Sequence, residues 1–182
     1  MASGHRIRPP LQRHKYMAYN KKLLLFVMIL FSCVGCDRIS KAAAQKYLAS
    51  SQSISFIGSI VRFQYAENSG GFLSFGSSSS PEIRFWLLIV LTGIVVAGTL
   101  VFVLLKPGAH PAFVTAISFI VGGGVGNLID RMFNDGRVID FMNMGIGSLR
   151  TGVFNVADIA IMIGTGILVL KVCRDSRQAR TF

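Results

Sequence analysis

Acidic side chains are scarce in this chain: 8 Asp and Glu stand among 182 residues, and all charged residues together make up only 15%. A soluble globular domain carries about 25% charged residues, so an ordinary water-exposed fold is excluded. With 52% hydrophobic residues the chain is also too apolar to be disordered. Three cysteines are too few for a disulfide framework, and Cys33 and Cys36 both fall inside an apolar run. Their Cys-x-x-Cys spacing matches a redox pair, yet the small apolar neighbours read as helix packing. The three histidines, His5, His14 and His110, lie far from most of the acids. That leaves little for a Ser-His-Asp site or a histidine zinc centre. The net charge of +11 sits mainly at the chain ends, around apolar runs, so no nucleic-acid partner is expected.

What is abundant is long apolar sequence. Four runs cover residues 23–36, 85–105, 112–129 and 151–170, the last with one acid inside. A hydrocarbon core of ~30 Å needs about 20 helical residues, so three runs pass on length. The first has two readings. Lys21-Lys22 followed by LLLFVMILFSC resembles a lipoprotein signal ending at Cys33. Alternatively the helix is retained and continues through Asp37-Arg-Ile-Ser-Lys41, with that charged end emerging from the bilayer and Lys21 and Lys22 snorkelling at its other end. Four spans with both termini inside put 11 Lys and Arg inside with one acid, Asp175, and eight outside against seven acids. Lys and Arg concentrate on the cytoplasmic side, so an N-in, C-in, all-helical membrane fold is expected. Residues 1–22 read as a basic cytoplasmic segment, 23–172 as the membrane domain and 173–182 as a basic tail. Residues 1–16 are expected to be disordered and dispensable, with Met17 a plausible alternative start.

The larger outside loop, about residues 45–83, carries Val61, Phe63 and Tyr65 in the alternation of a half-buried strand. Asn68-Ser-Gly-Gly71 reads as a turn, so a small β-structured lid outside the membrane is expected.

Asp158 lies inside the fourth run, about 10 Å in at ~1.5 Å per residue, with Asn155 three residues earlier on the same face. An ionisable group at that depth costs ~2.5–3.5 kcal/mol or more and normally faces a polar cavity with a partner. Asn127, Asp130 and Arg131 share one face at the outer end of the third run, and Asp140 follows the turn-like Asn134-Asp-Gly136. Two carboxylates in one low-dielectric pocket cannot both ionise easily, so one keeps a proton. Such a pair supplies both a base for water and an acid for a leaving amine. Structural polar contacts between helices and an ion path through Asp158 remain open on spacing alone. Asp130 beside Arg131 reads as structural. A Ser40–Lys41 dyad is poorly placed, since adjacent helical positions diverge. Gly122-x-x-x-Gly126 reads as a close helix approach and not as a phosphate loop.

Five segments, in order over roughly residues 20–170, resemble one family: Asp37-Arg-Ile-Ser-Lys41, Asn68-Ser-Gly-Gly-Phe72, Gly126-Asn-Leu-Ile-Asp-Arg131, Val138-Ile-Asp-Phe141 and Phe154-Asn-Val-Ala-Asp158. The chain resembles the lipoprotein signal peptidases (signal peptidase II), bacterial four-helix intramembrane aspartyl proteases. The resemblance implies a retained first helix and a catalytic pair, Asp140 and Asp158. It implies that Asn68, Gly70, Asn127, Asp130, Arg131 and Asn155 surround the pair and that Asp37 supports it from the first span. It implies cleavage of a diacylglyceryl-modified prolipoprotein just before the lipidated cysteine, in the bacterial inner membrane with the site toward the outer face. It further implies no metal or organic cofactor, contact with membrane lipids, inhibition by globomycin-type cyclic peptides, and a monomer. Three positions depart from the family pattern. Gly71 stands where alanine is common, Arg150-Thr-Gly-Val153 replaces a tryptophan-bearing stretch, and the basic N-terminal extension is long. Two other classes stay open: an ion- or proton-coupled transporter using Asp158, and an assembly factor with the third-span glycines as an oligomer face.

Overall fold

A computed structural model of the chain describes residues 18–50, 53–106 and 108–179, so the expectations for residues 1–16 lie outside the described residues. Four long helices follow in order: α1 (Tyr19–Leu48), α2 (Pro81–Leu105), α3 (Pro111–Phe133) and α4 (Val156–Ala179), each long and apolar enough to cross a membrane. Their ends follow local chemistry. Pro81 and Pro111 occupy first-turn positions where a missing N–H costs nothing, behind caps from Ser80 and His110. Residues Phe85–Leu91 of α2 are wound more widely, with i→i+5 hydrogen bonding.

The helix α3 is the centre of the bundle and packs on the other three, whereas α2 packs chiefly on α3. Phe26, Val103, Val114, Ile117 and Val121 form the buried apolar core. Large side chains such as Leu24, Phe31, Trp86, Leu105 and Leu170 point outward, the inverse of a water-soluble bundle. Glycine makes the close approach of α1 to α3 possible. A Cβ on Gly122 would fall 2.7 Å from Cys33 Cβ, and one on Gly126 2.7 Å from Asp37 Oδ2. The expected close helix approach is therefore present. It is made within the chain, so the face postulated for an oligomer is already covered by α1.

The first apolar run is built into this bundle, with Phe26 and Cys33 buried, as the retained-helix reading expects. It does not stop at residue 36, because Asp37 and Lys41 find buried partners and α1 continues to Leu48. Lys22 does not snorkel. It is buried and donates to the carbonyls of Val103 (2.9 Å), Leu104 (3.1 Å) and Lys106 (3.1 Å), closing the C-terminal end of α2.

Beyond one end of the bundle lies a four-stranded antiparallel sheet in the order β1 (Ile54–Phe56), β2 (Val61–Asn68), β3 (Val138–Ile146), β4 (Leu149–Arg150). The expected lid drew only on the larger loop. The sheet also recruits the segment between α3 and α4, pairing Ala66 with Asp140 and Phe63 with Met142. Phe63 and Phe141, with ring centroids 6.4 Å apart, seat the sheet on Ala44 and Leu48 of α1. Extended backbone persists past β4: Thr151 N–H donates to Met144 O at 2.7 Å and Phe154 N–H to Met142 O at 2.8 Å. Consequently α4 begins at Val156, not near residue 151. Apolar residues look alike to hydropathy whether a strand or a helix uses them.

Candidate active site

The late start of α4 changes the meaning of Asp158. It stands in the first helical turn, not two turns deep. Asn155 precedes that turn, and the two side chains cap each other's backbone. Asn155 Oδ1 accepts from Asp158 N–H at 3.0 Å, and Asp158 Oδ2 accepts from Asn155 N–H at 3.1 Å. This is the reciprocal arrangement of a capping box, with Asn and Asp in place of Ser and Glu. The same helix end receives Asp37 Oδ1, which accepts from Ala157 N–H at 3.0 Å. The N-terminal end of α4 thus gathers the carboxylates of both Asp158 and Asp37.

Asp140 arrives from β3. Its Oδ1 accepts from Asn155 Nδ2 at 2.6 Å and its Oδ2 from Asn68 Nδ2 at 3.0 Å. Asn68 closes the turn after β2: its Oδ1 accepts from Gly70 N–H at 2.9 Å, and its Nδ2 also donates to Gly71 O at 3.0 Å. Gly70 is required there, because a Cβ would come 2.7 Å from the Ser74 and Phe75 backbone. Burial and then the nearby Asp158 charge push the Asp140 carboxyl up to about 6, against the opposing hydrogen bonds from Asn68 and Asn155. Asn127 joins the two acids from α3. Its Nδ2 donates to Asp158 Oδ1 at 3.0 Å, and its Oδ1 accepts from Asn155 Nδ2 at 3.1 Å. Asn155 therefore touches both acids, and two helices and the sheet meet at one residue.

Behind this cluster lies a charged layer. Lys41 Nζ sits 2.8 Å from Asp37 Oδ2 and 2.9 Å from Asp130 Oδ2, and donates to Asn127 Oδ1 at 3.0 Å. The first of these is an ion contact without hydrogen-bond alignment. Asp130 also pairs with Arg38 and accepts from Ile139 N–H at 3.0 Å, which ties α3 to β3. The partners of Asp130 are thus Arg38, Lys41 and the β3 backbone, and not its sequence neighbour Arg131. Arg131 itself turns the other way and donates to Gly70 O at 2.8 Å.

In front of the cluster a cleft of about 620 Å³ is lined by Asn127, Arg131 and Asp158, with apolar walls that include Leu88 of α2 and Ile161 and Met162 of α4. All nine residues expected at the site thus fall in one connected neighbourhood. Lys41 and Arg38 were not among them. Their signal was present, since Lys41 follows Asp37 by one helical turn and shares its face. The Ser40–Lys41 dyad is not formed: Ser40 Oγ donates to Asp37 O at 2.9 Å while Lys41 points into the charged layer. Cys33 is buried and Cys36 exposed, both free. Among the described residues no three His, Cys, Asp or Glu side chains converge as metal ligands.

The chain is similar to known proteins over most of its length. The family model for signal peptidase (SPase) II matches residues 29–174. The lipoprotein signal peptidase of Halalkalibacterium halodurans is 34% identical over 158 residues, covering 86% of this chain and 97% of that protein. The lipoprotein signal peptidase of Chlorobium luteolum is 37% identical over 168 residues, covering 86% and 97%. A bacterial membrane enzyme solved by the in meso method at 2.3 Å shares the fold, with a TM-score of 0.71 at 22% identity over 89% of this chain and 93% of that one.

Proposed function

The chain belongs to the signal peptidase II family of aspartic-type, lipoprotein-processing peptidases, and from that premise we propose that it cuts diacylglyceryl-modified prolipoproteins just before the lipidated cysteine, using Asp140 and Asp158. The observation that carries this reading is Asn155, which holds both carboxylates beside a cleft with apolar walls.

Hydrolysis of a peptide bond needs a base for water and an acid for the leaving nitrogen. Asp158, in the first turn of α4 and on the cleft wall, is placed to act as the base. Asp140, raised to about 6, keeps its proton to higher pH than an ordinary carboxyl and is placed to act as the acid. Water attacks the scissile carbonyl carbon as Asp158 takes its proton, and Asp140 protonates the departing cysteine amine. The products are a signal peptide with a new carboxylate and a lipoprotein with a free N-terminal amine. Asn127 and Asn155 keep the carboxylates oriented. Arg131, on the cleft wall, orients the substrate backbone, and Asn68 with Gly70 holds the turn above it. Asp37 supports the arrangement from α1. The acyl chains stay in the bilayer beside Leu88, Ile161 and Met162 while the scissile bond reaches the first turn of α4. No metal or organic cofactor takes part in this scheme. The Lys and Arg distribution supports both termini in the cytoplasm and the cleft at the outer face of a bacterial inner membrane. The cleft is expected to admit globomycin-type cyclic peptides as competitors, and the monomer is the working unit.

A gel-shift cleavage assay in detergent tests this. Wild type, Asp140→Asn and Asp158→Asn each meet a prolipoprotein with and without its diacylglyceryl group. Cleavage of only the lipidated form, and only by wild type, is expected, with losses of at least ~10³-fold in the variants. Folded wild type that leaves the lipidated form uncut removes the reading and turns attention to ion flux in liposomes.

A further inference from the structure

Resting on that reading of the two acids, we propose that Lys41 is a positioning residue for them: its buried ammonium fixes which way the Asn127 amide points, and so gives Asp158 its hydrogen-bond donor. An Asn side chain is nearly symmetric in shape, and only its partners decide which end is oxygen and which is NH₂. Lysine has donors and no acceptor. Lys41 Nζ stands 3.0 Å from one end of the Asn127 amide, so that end is the oxygen. The opposite end, the NH₂, then faces Asp158 Oδ1 at 3.0 Å. Rotated by half a turn, the amide would set its NH₂ against the ammonium and its oxygen against the carboxylate.

A second fixed point orients the neighbouring amide. The Asp158 N–H can only donate, so Asn155 presents its oxygen there at 3.0 Å. Its NH₂ is thereby turned to Asp140 Oδ1 at 2.6 Å and Asn127 Oδ1 at 3.1 Å. Lys41 at one end and the α4 backbone at the other hold two amides in a single polarity, and each acid receives an N–H.

Why the cation can sit there is also on the page. Lys41 is completely buried, and an unpaired charge at such a place is prohibitively costly. Asp37 and Asp130 balance Lys41 and Arg38, two acids against two bases. None of Lys41, Arg38, Asp37 and Asp130 lines the cleft whereas Asn127 does, so the hydrogen bond to Asn127 is what links Lys41 to the cleft wall.

The test is a double-mutant cycle read in kcat and KM with a lipidated prolipoprotein, using Lys41→Met, Asn127→Ala and the pair. Lys41→Met is expected to lower kcat at least tenfold with KM changed less than threefold. In the Asn127→Ala background the same change is expected to cost less than twofold, because the group it acts through is gone. Equal losses in both backgrounds, or a Lys41→Met kcat within twofold of wild type, overturn the proposal. Should Lys41→Met fail to fold, the cycle is run with Asp37→Asn/Lys41→Met against Asp37→Asn, which removes the cation together with its partner's charge. Failure of wild type itself to cut the substrate strikes the underlying reading, whereas any of the other contrary results strikes Lys41 alone.

Discussion

Asn155 and Asp158 close the first turn of α4 on each other, Oδ1 to N–H at 3.0 Å and N–H to Oδ2 at 3.1 Å, so one pair of residues both starts the helix and orients an acid. The two duties can be separated. Serine is as good an N-cap as asparagine, while alanine is not. Asn155→Ser is expected to melt above Asn155→Ala in detergent yet lose activity, because the cap survives but no side-chain NH₂ remains for Asp140. Asn155→Ala is expected to lose the same activity and about 1 kcal/mol of stability as well. Thermal melts alongside kcat check both halves; an active Asn155→Ser would detach the Asp140 bond from function.

A pH profile follows from Asp140. Burial and the Asp158 charge hold its carboxyl at about 6, above the ordinary carboxylate range. The proton needed by the leaving amine is present below that value and lost above it. Measured between pH 5 and 8, kcat/KM is expected to fall as pH rises through about 6, as a property of the coupled pair. The sign for stability is the same. A raised carboxyl binds its proton more tightly when folded, so the stability it contributes is full at low pH and lost as pH rises through about 6. Wild type is expected to melt lower at pH 7 than at pH 4.5, with a smaller difference in Asp140→Asn. A rate flat from pH 5 to 8 would contradict the assignment of the acid.

Much of this was legible in the residues, for identifiable reasons. A span is a one-dimensional property, so hydropathy found all four helices. Asp37, Asp130, Asp140 and Asp158 stood out because acids are rare in an apolar chain. What hydropathy could not supply was pairing between distant segments. The sheet joins Ala66 to Asp140 across the whole of α2 and α3, and that pairing delays α4 to Val156. The first-turn position of Asp158 depends on that delay. Lys22 and Lys41 misled in a different way. A lysine near a span end is expected to reach for water, yet both are buried, one on the carbonyls at the end of α2 and the other between carboxylates.

The glycines of α3 permit a graded test of packing. Gly122→Ala and Gly126→Ala would each place a Cβ 2.7 Å from an atom of α1, a degree of overpacking that costs ~1–3 kcal/mol. Gly98 of α2 has nothing within 4 Å of the corresponding point. There alanine is the better helix former by ~1 kcal/mol. Melting temperatures in detergent are therefore expected to fall for the first two variants and to hold or rise for Gly98→Ala. A fall shared by all three would show that helix approach is not what those positions decide.

Lys22 separates stability from catalysis. It lies at the end of the bundle opposite Asp158, where its ammonium donates to three carbonyls of the α2 terminus and stacks over the Tyr19 ring at 4.8 Å. Hydrogen bonds from a charged donor contribute ~1.5–3 kcal/mol, and the helix dipole adds a favourable interaction with a cation at a C-terminus. Against these stands the cost of burying the ammonium, which a methionine would not bear. The methionine, however, leaves carbonyls at the end of α2 without a partner in an apolar setting, and that loss outweighs the relief. Lys22→Met is expected to be destabilised by about 1–3 kcal/mol while cutting the lipidated substrate at the wild-type kcat below its melting temperature. Lys21→Met, changing an exposed lysine next door, is the reference and is expected to melt as wild type does. Equal melting of the two variants would mean that the buried contacts of Lys22 contribute nothing net; a lowered kcat in folded Lys22→Met would mean that the α2 terminus communicates with the cleft.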